Sequence, residues 1–389
     1  MNAVRQKPVT IVISTLAIGV GMFAGSFGQY FVPIQIGAFI DGLGYSASQS
    51  GMLGAVEVGS MSLTAILISS KLSTWSRSRT AICGVVFAST CELLTGFVSS
   101  LTLLFPLRIL VGVGCGFVFA SICAAAATSH APDRIFGWGQ AVMNCLFLLM
   151  FLLLPHTLNY GIHKGLFVTL AIVQLMTISL IRFLPNASGE VLAEQSTEKK
   201  ASVVLIATHI VAVVLLNIGL GALWGFVERV GSEQVGLTAE TIGKVLSMAT
   251  LFMIGGSLFA AWLGVRIGRA IPTVIAAVLC AVASISVMSA ETLVFYAGGL
   301  FLYNAAYLFI GPYIIAGISS ELDPSGRLAA AVGGVMFLSY SVGIGTGGFI
   351  AELISLTGIG ILALCTCLIA APLFAIVSTR LKINEGQSK

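Results

Sequence analysis

Apolar runs of about twenty residues, each long enough to cross a ~30 Å hydrocarbon core as a helix, recur along the whole of this chain. One long polar interval, 182–201, interrupts them, with six runs before it and six after it. That pattern excludes a soluble globular fold: 57% of the 389 residues are hydrophobic and 9% are charged, against about 25% charge in ordinary soluble domains. Barrel strands are excluded too, because they would alternate apolar with polar at every second residue. The expectation is an all-α polytopic membrane protein with twelve transmembrane helices. They are predicted over 9–38, 48–70, 80–98, 102–127, 137–155 and 165–183, then 203–227, 240–263, 271–289, 292–318, 328–353 and 358–379.

The polar interval carries Glu190, Glu194 and Glu198 among Lys199, Lys200 and small or turn-forming residues. It has too little apolar surface to fold alone and reads as a solvated linker. The chain is therefore expected to divide into six-helix bundles at 1–183 and 202–389, joined by a linker at 184–201. Basic residues set the orientation. The first apolar run follows Arg5 and Lys7, lacks a small-residue cleavage site and runs on too long for a signal peptide, so it reads as the first span. Of the 19 Lys and Arg, only Lys164 and Arg229 fall in loops on the far side and only Arg108 and Lys244 within spans. The remainder mark the inner side, so both termini and the linker are expected to be cytoplasmic.

The two halves resemble each other at a constant offset of 192 residues. Gly44, Tyr45, Ser46 and Ala47 align with Gly236, Leu237, Thr238 and Ala239, Gly51 with Gly243, and Arg77 with Arg269. Ser46 and Thr238 stand just before a span, where N-cap residues belong. A parallel repeat of six spans is the architecture of a transporter whose halves rock about a site between them.

These features resemble the major facilitator superfamily, and the resemblance covers essentially the whole chain. A cytoplasmic motif of that family, G-x-x-x-D-R-x-G-R-[RK], is matched in the second half by Arg266, Gly268 and Arg269, with Ala261, Val265 and Ala270 departing from it. In the first half only Arg77 matches, and Ser69, Ser73, Thr74 and Ser76 replace the rest. The run from Arg108 through Gly112, Gly114 and Gly116 is similar to the family's R-x-x-x-G-x-G pattern, whose small residues allow close helix approach. Gly343, Gly345, Gly347 and Gly348 read mainly as helix packing. The G-x-x-x-G-P-x-x-G-G pattern linked to drug/proton antiporters is missing, the fifth span reading Met143, Asn144, Cys145 instead. The phrase from Leu322 to Arg327 resembles bacterial members, which implies an inner-membrane location.

Charges within the membrane are costly, and each is a functional candidate. Glu57 lies about nine residues into its span, roughly 14 Å deep, while Glu92 and Arg108 lie roughly 9 Å deep. These depths allow Arg108 to pair with either acid. The functional reading is a proton switch, in which opening the pair in a low dielectric lets the carboxylate take a proton; the plain reading is a static buried ion pair. Arg108 is also able to grip a substrate carboxylate by two parallel hydrogen bonds. Glu228 reads as facing the cavity mouth and Arg229 as an interfacial anchor, with no need for the two neighbours to pair.

In the superfamily, helices one, four, seven and ten line the central cavity. The resemblance thus implies Phe27, Gln29, Tyr30, Phe31 and Gln35 on the first, Asn217, Trp224 and Phe226 on the seventh, and Tyr303, Asn304, Tyr307 and Tyr313 on the tenth. Tyr30, Asn217, Trp224, Asn304 and Tyr307 are the expected substrate contacts, and Asn144 is a comparable polar group. Amides and phenols among aromatic faces suit a neutral or weakly charged planar or amphipathic solute. His130, His156, His163 and His209 read as solvated or hydrogen-bonded.

All eight cysteines fall within predicted spans, where thiols behave as small apolar groups, and Cys365 and Cys367 point to different helix faces. No cofactor, metal or nucleic acid is expected, no G-x-x-x-x-G-K-[ST] phosphate loop is present, and no catalytic constellation can be assembled, so an enzyme is not expected. The expected partners are a small-molecule substrate, protons and the lipid bilayer, and the expected state is a monomer. The leading expectation is a proton-coupled secondary transporter of an aromatic or amphipathic solute, such as a vitamin or metabolite. Proton-driven efflux of drugs, nucleosides or sugars is the first alternative, and a membrane sensor or assembly factor that does not transport is the second.

Overall fold

The protein was analysed as a computed structural model, which describes residues 8–129, 132–157, 160–185, 202–323 and 327–387. Most of the predicted linker, with Glu190, Glu194, Glu198, Lys199 and Lys200, lies outside the described residues. So do His130 and the 324–326 part of the Leu322 to Arg327 phrase.

Among the described residues the chain is helical throughout. We number twelve long helices. Helix α1 is Pro8–Gly25, continuing past Ser26 as Phe27–Leu43. Then come α2 (Ala47–Ile68), α3 (Arg77–Thr95), α4 (Leu101–Ala127), α5 (Pro132–Thr157) and α6 (Ile162–Met176, extended by Ile178–Ile181). In the second half α7 is Val203–Arg229, closed by a π-helical turn at Val230–Gln234. It is followed by α8 (Ala239–Leu263), α9 (Ala270–Met288) and α10 (Leu293–Pro312), which continues through a π-helical turn at Tyr313–Ile318 into Ser319–Leu322. The last two are α11 (Arg327–Leu353) and α12 (Leu356–Gln387). Eleven of these are long and apolar enough to cross a membrane. Helix α3 falls short in hydropathy because it carries Arg77, Arg79 and Glu92, and its position in the series makes it the twelfth.

The 192-residue repeat is visible in local geometry. Helices α2 and α8 start at Ala47 and Ala239, and α4 and α10 at Leu101 and Leu293, in each case 192 residues apart. Gly44 and Gly236 both adopt φ +71°, a left-handed conformation that glycine tolerates without strain. Two residues on, the Ser46 and Thr238 hydroxyls accept from the backbone N–H of Gln49 (3.3 Å) and Thr241 (3.3 Å), so both act as N-caps. Helix contacts repeat as well: α1 packs on α5 as α7 does on α11, and α3 packs on α4 and α6 as α9 does on α10 and α12.

By packing, the chain divides into one compact unit formed by Met1–Val32 with Val56–Leu192, and another formed by Pro33–Ala55 with Ala193–Lys389. The stretch 33–55 belongs to the second unit for identifiable reasons. Asp41 bonds Arg229, the Ser341 hydroxyl donates to the Ala55 carbonyl at 2.7 Å, and Gly51 and Gly348 let their backbones touch.

In the first unit, the glycines after Arg108 face two different neighbours. A Cβ on Gly112 would overlap the Glu57 carbonyl and the Ser60 hydroxyl, and one on Gly116 would come within 2.6 Å of the Met61 carbonyl, both on α2. A Cβ on Gly114 would lie 2.7 Å from Ala88 on α3. The spacing thus serves close approach of α4 to α2 on one face and to α3 on the other. In the second unit Gly343 and Gly347 similarly lie against α7.

Candidate functional site

The first unit buries three charges together. Arg108 on α4 donates through Nη1 to Glu92 Oε2 on α3 at 2.7 Å, and through Nη2 to Glu57 Oε2 on α2. All three side chains are buried, with Arg108 and Glu57 at 0% and Glu92 at 1% exposure. The expectation that Arg108 pairs with one acid is thereby extended, since one guanidinium spans both. Its Cζ also lies 5.2 Å from the Phe167 ring centroid, a cation–π contact. The cradle is tight: Gly28 has no side chain to obstruct Glu57, and a Cβ there would sit 2.6 Å from Oε1. Nearby, Gln174 ties α6 to two neighbours, donating to the Ala24 carbonyl at 3.0 Å and accepting from the Ser89 hydroxyl at 3.2 Å.

With both acids ionised this triad carries one net negative charge, and with one proton bound it is neutral. A lone uncompensated charge in so dry a place is expensive. The arrangement is therefore able to hold one proton, or to release it when the guanidinium or an acid moves.

The second unit holds a different network. Arg229 forms a two-pronged bond to Asp41, with Nη1–Oδ1 and Nη2–Oδ2 both at 2.8 Å. Its Nε donates to Glu228 Oε2 at 3.0 Å, and Glu233 lies 3.3 Å from Nη1. The residue is 4% exposed. It is a buried hub that does pair with its neighbour Glu228, a pairing the sequence left open. The reason is that three acids converge on it, one of them from α1. Asp41 was overlooked in the sequence, although it stands 192 residues before Glu233, so the repeat itself marks both positions. Gly37 makes room for Glu228, whose carboxylate a Cβ there would strike.

The other sequence-picked polar and aromatic residues fall into two groups. In the first unit Tyr30 stacks on Phe147 (3.9 Å between centroids, 6° between planes) and donates to Asn144 Oδ1 at 3.4 Å. Phe27 and Phe31 pack edge-on with Phe23 and Phe147 in an aromatic core, so they serve packing. In the second unit Trp224, Tyr303 and Tyr307 form a ladder with centroid spacings of 6.1 and 6.0 Å and planes within 13° and 1°. Tyr340 of α11 extends it at 6.4 Å from Tyr307. The sequence does not single out that ring, because α11 is outside the four helices that the resemblance assigns to the cavity. Asn217 and Asn304 are both buried, and each amide donates back to its own helix, to Val213 O and Leu300 O, at 2.8 Å. Tyr313 donates to the Gly264 carbonyl at 2.9 Å, well along α10 from the ladder. Gln35 is fully buried with neither amide atom hydrogen-bonded.

The motif residues resolve as follows. Arg77 donates to the Thr128 hydroxyl at 2.6 Å. Arg266 lies over the Trp262 ring at 5.0 Å. Gly268 takes φ +77°, which explains the glycine there. Arg269 pairs with Glu321 and donates to the Gly317 carbonyl at 3.3 Å, so it holds the end of α10 just past the π-helical turn. His163 bonds the Thr95 carbonyl at 2.7 Å and His209 the Ser319 hydroxyl at 3.0 Å, in keeping with hydrogen-bonded histidines.

Comparison with solved structures gives neighbours across the whole length. A POT family transporter in complex with a thioalcohol-conjugated peptide has a TM-score of 0.74 at 11% identity, covering 97% of this chain and 98% of its own. A D-xylose-proton symporter scores 0.71 at 14% identity, covering 94% and 96%. The nucleoside transporter NupG scores 0.70 at 12% identity, covering 96% and 99%. At such identities these likenesses carry the fold alone. No curated protein matches the sequence. The family model described as Major Facilitator Superfamily matches residues 16–347. Membership follows from that span, and this chain is a multi-pass membrane transporter of the Major Facilitator Superfamily.

Proposed function

We propose that the protein is a proton-coupled secondary transporter moving a small aromatic or amphipathic organic solute by alternating access. In this reading the Glu57–Arg108–Glu92 triad is the coupling site. The observation that carries it is one fully buried guanidinium shared by two buried carboxylates. Two acids on one base leave a place for one proton, and Glu92 Oε1, buried and without a hydrogen-bond partner, is its carrier in this reading. The cost of leaving the net charge uncompensated ties protonation to any motion that separates α2, α3 and α4. Membership of a transporter family and the likeness to a proton symporter support the class.

The substrate contacts in this reading are Tyr30, Asn217, Trp224, Asn304 and Tyr307, with Glu228 nearby on α7. Amides and stacked rings suit a flat solute better than a highly charged one. Uptake or exchange across a bacterial inner membrane, by a monomer with cytoplasmic termini, completes the reading. Rocking of the two sequence repeats is its mechanical part, with Arg77, Arg266, Gly268 and Arg269 bracing one membrane face.

The test is solute-evoked proton movement in proteoliposomes with an enclosed pH dye, screening vitamins, aromatic acids, nucleosides and common drugs. A solute that moves protons with the native protein and not with Glu57→Gln supports coupling through the triad. Solute flux with no proton movement in either protein would overturn it.

A further inference from the structure

The hydrogen-bonding capacity around the aromatic ladder is unbalanced, and the imbalance bears on the charge of what binds there. Asn217, Trp224 and Glu228 follow one another on α7 at intervals of seven and four residues and so share a face. Asn217 Nδ2 donates to the Val213 carbonyl, Asn304 Nδ2 to the Leu300 carbonyl and the Tyr303 hydroxyl to the Leu220 carbonyl at 3.2 Å. One acceptor is bare. Asn217 Oδ1 is buried in a residue of 0% exposure and has no hydrogen-bond partner. Turning the amide over would not help, because it would set oxygen against the Val213 carbonyl. A buried acceptor left bare is costly and calls for a donor.

The surroundings have the same bias. Trp224, Tyr303, Tyr307 and Tyr340 bring four aromatic rings together, and ring faces carry the negative part of the quadrupole and attract cations, tryptophan most strongly. One turn beyond Trp224, Glu228 adds a carboxylate. There Asp41, Glu228 and Glu233 outnumber the one base they surround, Arg229. Acceptors, π faces and excess acid all favour positive charge.

We propose that this face of the second unit binds an aromatic organic cation, a flat ring bearing a protonated amine. The ring lies against the Trp224–Tyr303–Tyr307 ladder and an N–H is directed to Asn217 Oδ1. The proposal rests on the reading of α7 and α10 as the substrate-binding helices and narrows it from weakly charged solutes to amines.

The experiment uses full-length protein in nanodiscs, with empty nanodiscs subtracted, and two matched probe series at neutral pH. These are phenethylamine, 2-phenylethanol and phenylacetate, then tryptamine, tryptophol and indole-3-acetate, read by saturation-transfer NMR and titration. The amine of at least one series is expected to bind about tenfold more tightly than its alcohol, with the acid weakest. Trp224→Leu and Asn217→Leu should each weaken the amine about tenfold, and Trp224→Phe should restore most of the loss at Trp224. Melting curves confirm that the variants are folded.

Equal binding of amine and alcohol, tighter binding of the acid, or no binding of either amine would overturn the cation assignment. If the alcohols bind and Trp224→Leu abolishes that binding, the aromatic-solute reading stands and only the charge class falls. If binding of every probe ignores both Trp224 and Asn217, the site falls with it.

Discussion

Two arginines organise the charged interior of this protein, and they are solvated very differently. Arg108 lies between Glu57 and Glu92 with all three side chains at 2% exposure or less. Arg229 is almost as buried, yet its partners Asp41 and Glu233 are 45% and 54% exposed. The first network pays for desolvation of every member; the second leaves two of its three acids half-exposed. Identical chemistry therefore carries different consequences: removing the arginine of the first network strands two buried carboxylates, while two of the three acids around Arg229 are half-exposed.

The largest expected effect follows directly. Arg108→Leu leaves two carboxylates without a base and should lower stability by about 3–5 kcal/mol, read as a drop in the melting temperature in nanodiscs. A loss below that of Arg229→Leu would break the comparison. Arg229→Leu itself should cost about 1–3 kcal/mol, because only Glu228 among its partners is left substantially buried.

Glu57→Gln sharpens the contrast in another way. It removes a charge and leaves Arg108 paired one-to-one with Glu92, so melting should change by only about 1 kcal/mol while solute-driven proton movement is lost. Loss of folding in this variant would mean that both charges are structural. Asp41→Asn keeps the side chain's shape but replaces one accepting oxygen of the fork with a donor, and because Asp41 is 45% exposed it should cost only about 1 kcal/mol, a difference that shrinks in high salt. The smallest effect belongs to Lys244→Gln, which breaks an i,i+4 pair with Glu240 that is exposed on both sides, and melting should stay within about 0.5 kcal/mol.

Much of the frame was legible in advance. Predicted and observed spans agree closely because a run of apolar residues as long as a membrane is thick has few alternatives to a helix. The first span ends later than expected, at Leu43, since Asp41 finds a base in Arg229. The seventh is also longer, its π-helical turn carrying Glu233 to Arg229. The meeting of Glu57, Glu92 and Arg108 was legible too, because 1.5 Å per residue places them within reach of one another.

Azimuth was not legible. Which face of α1 meets α7, and so whether Asp41 reaches Arg229, depends on packing against neighbours that are distant in sequence. The same holds for Arg269, whose acid is Glu321 at the end of α10 rather than a residue of its own motif. Tyr340 joins the ladder for a like reason: Gly221 lets α7 and α11 approach until a Cβ would overlap the Tyr340 carbonyl.

The sequence by itself determined the number of helices, the 192-residue repeat, the caps at Ser46 and Thr238 and the common level along their helices at which Glu57, Glu92 and Arg108 meet, since all of these follow from periodicity and transfer energy along one dimension. Only the tertiary structure decided the partners: one arginine for two acids, three acids for another, and four rings with an unsatisfied amide beside them. Rotation about a helix axis changes neither length nor hydropathy, so composition is silent about it. Close packing of glycine-lined helices settles it, and with it the chemistry each buried group can perform.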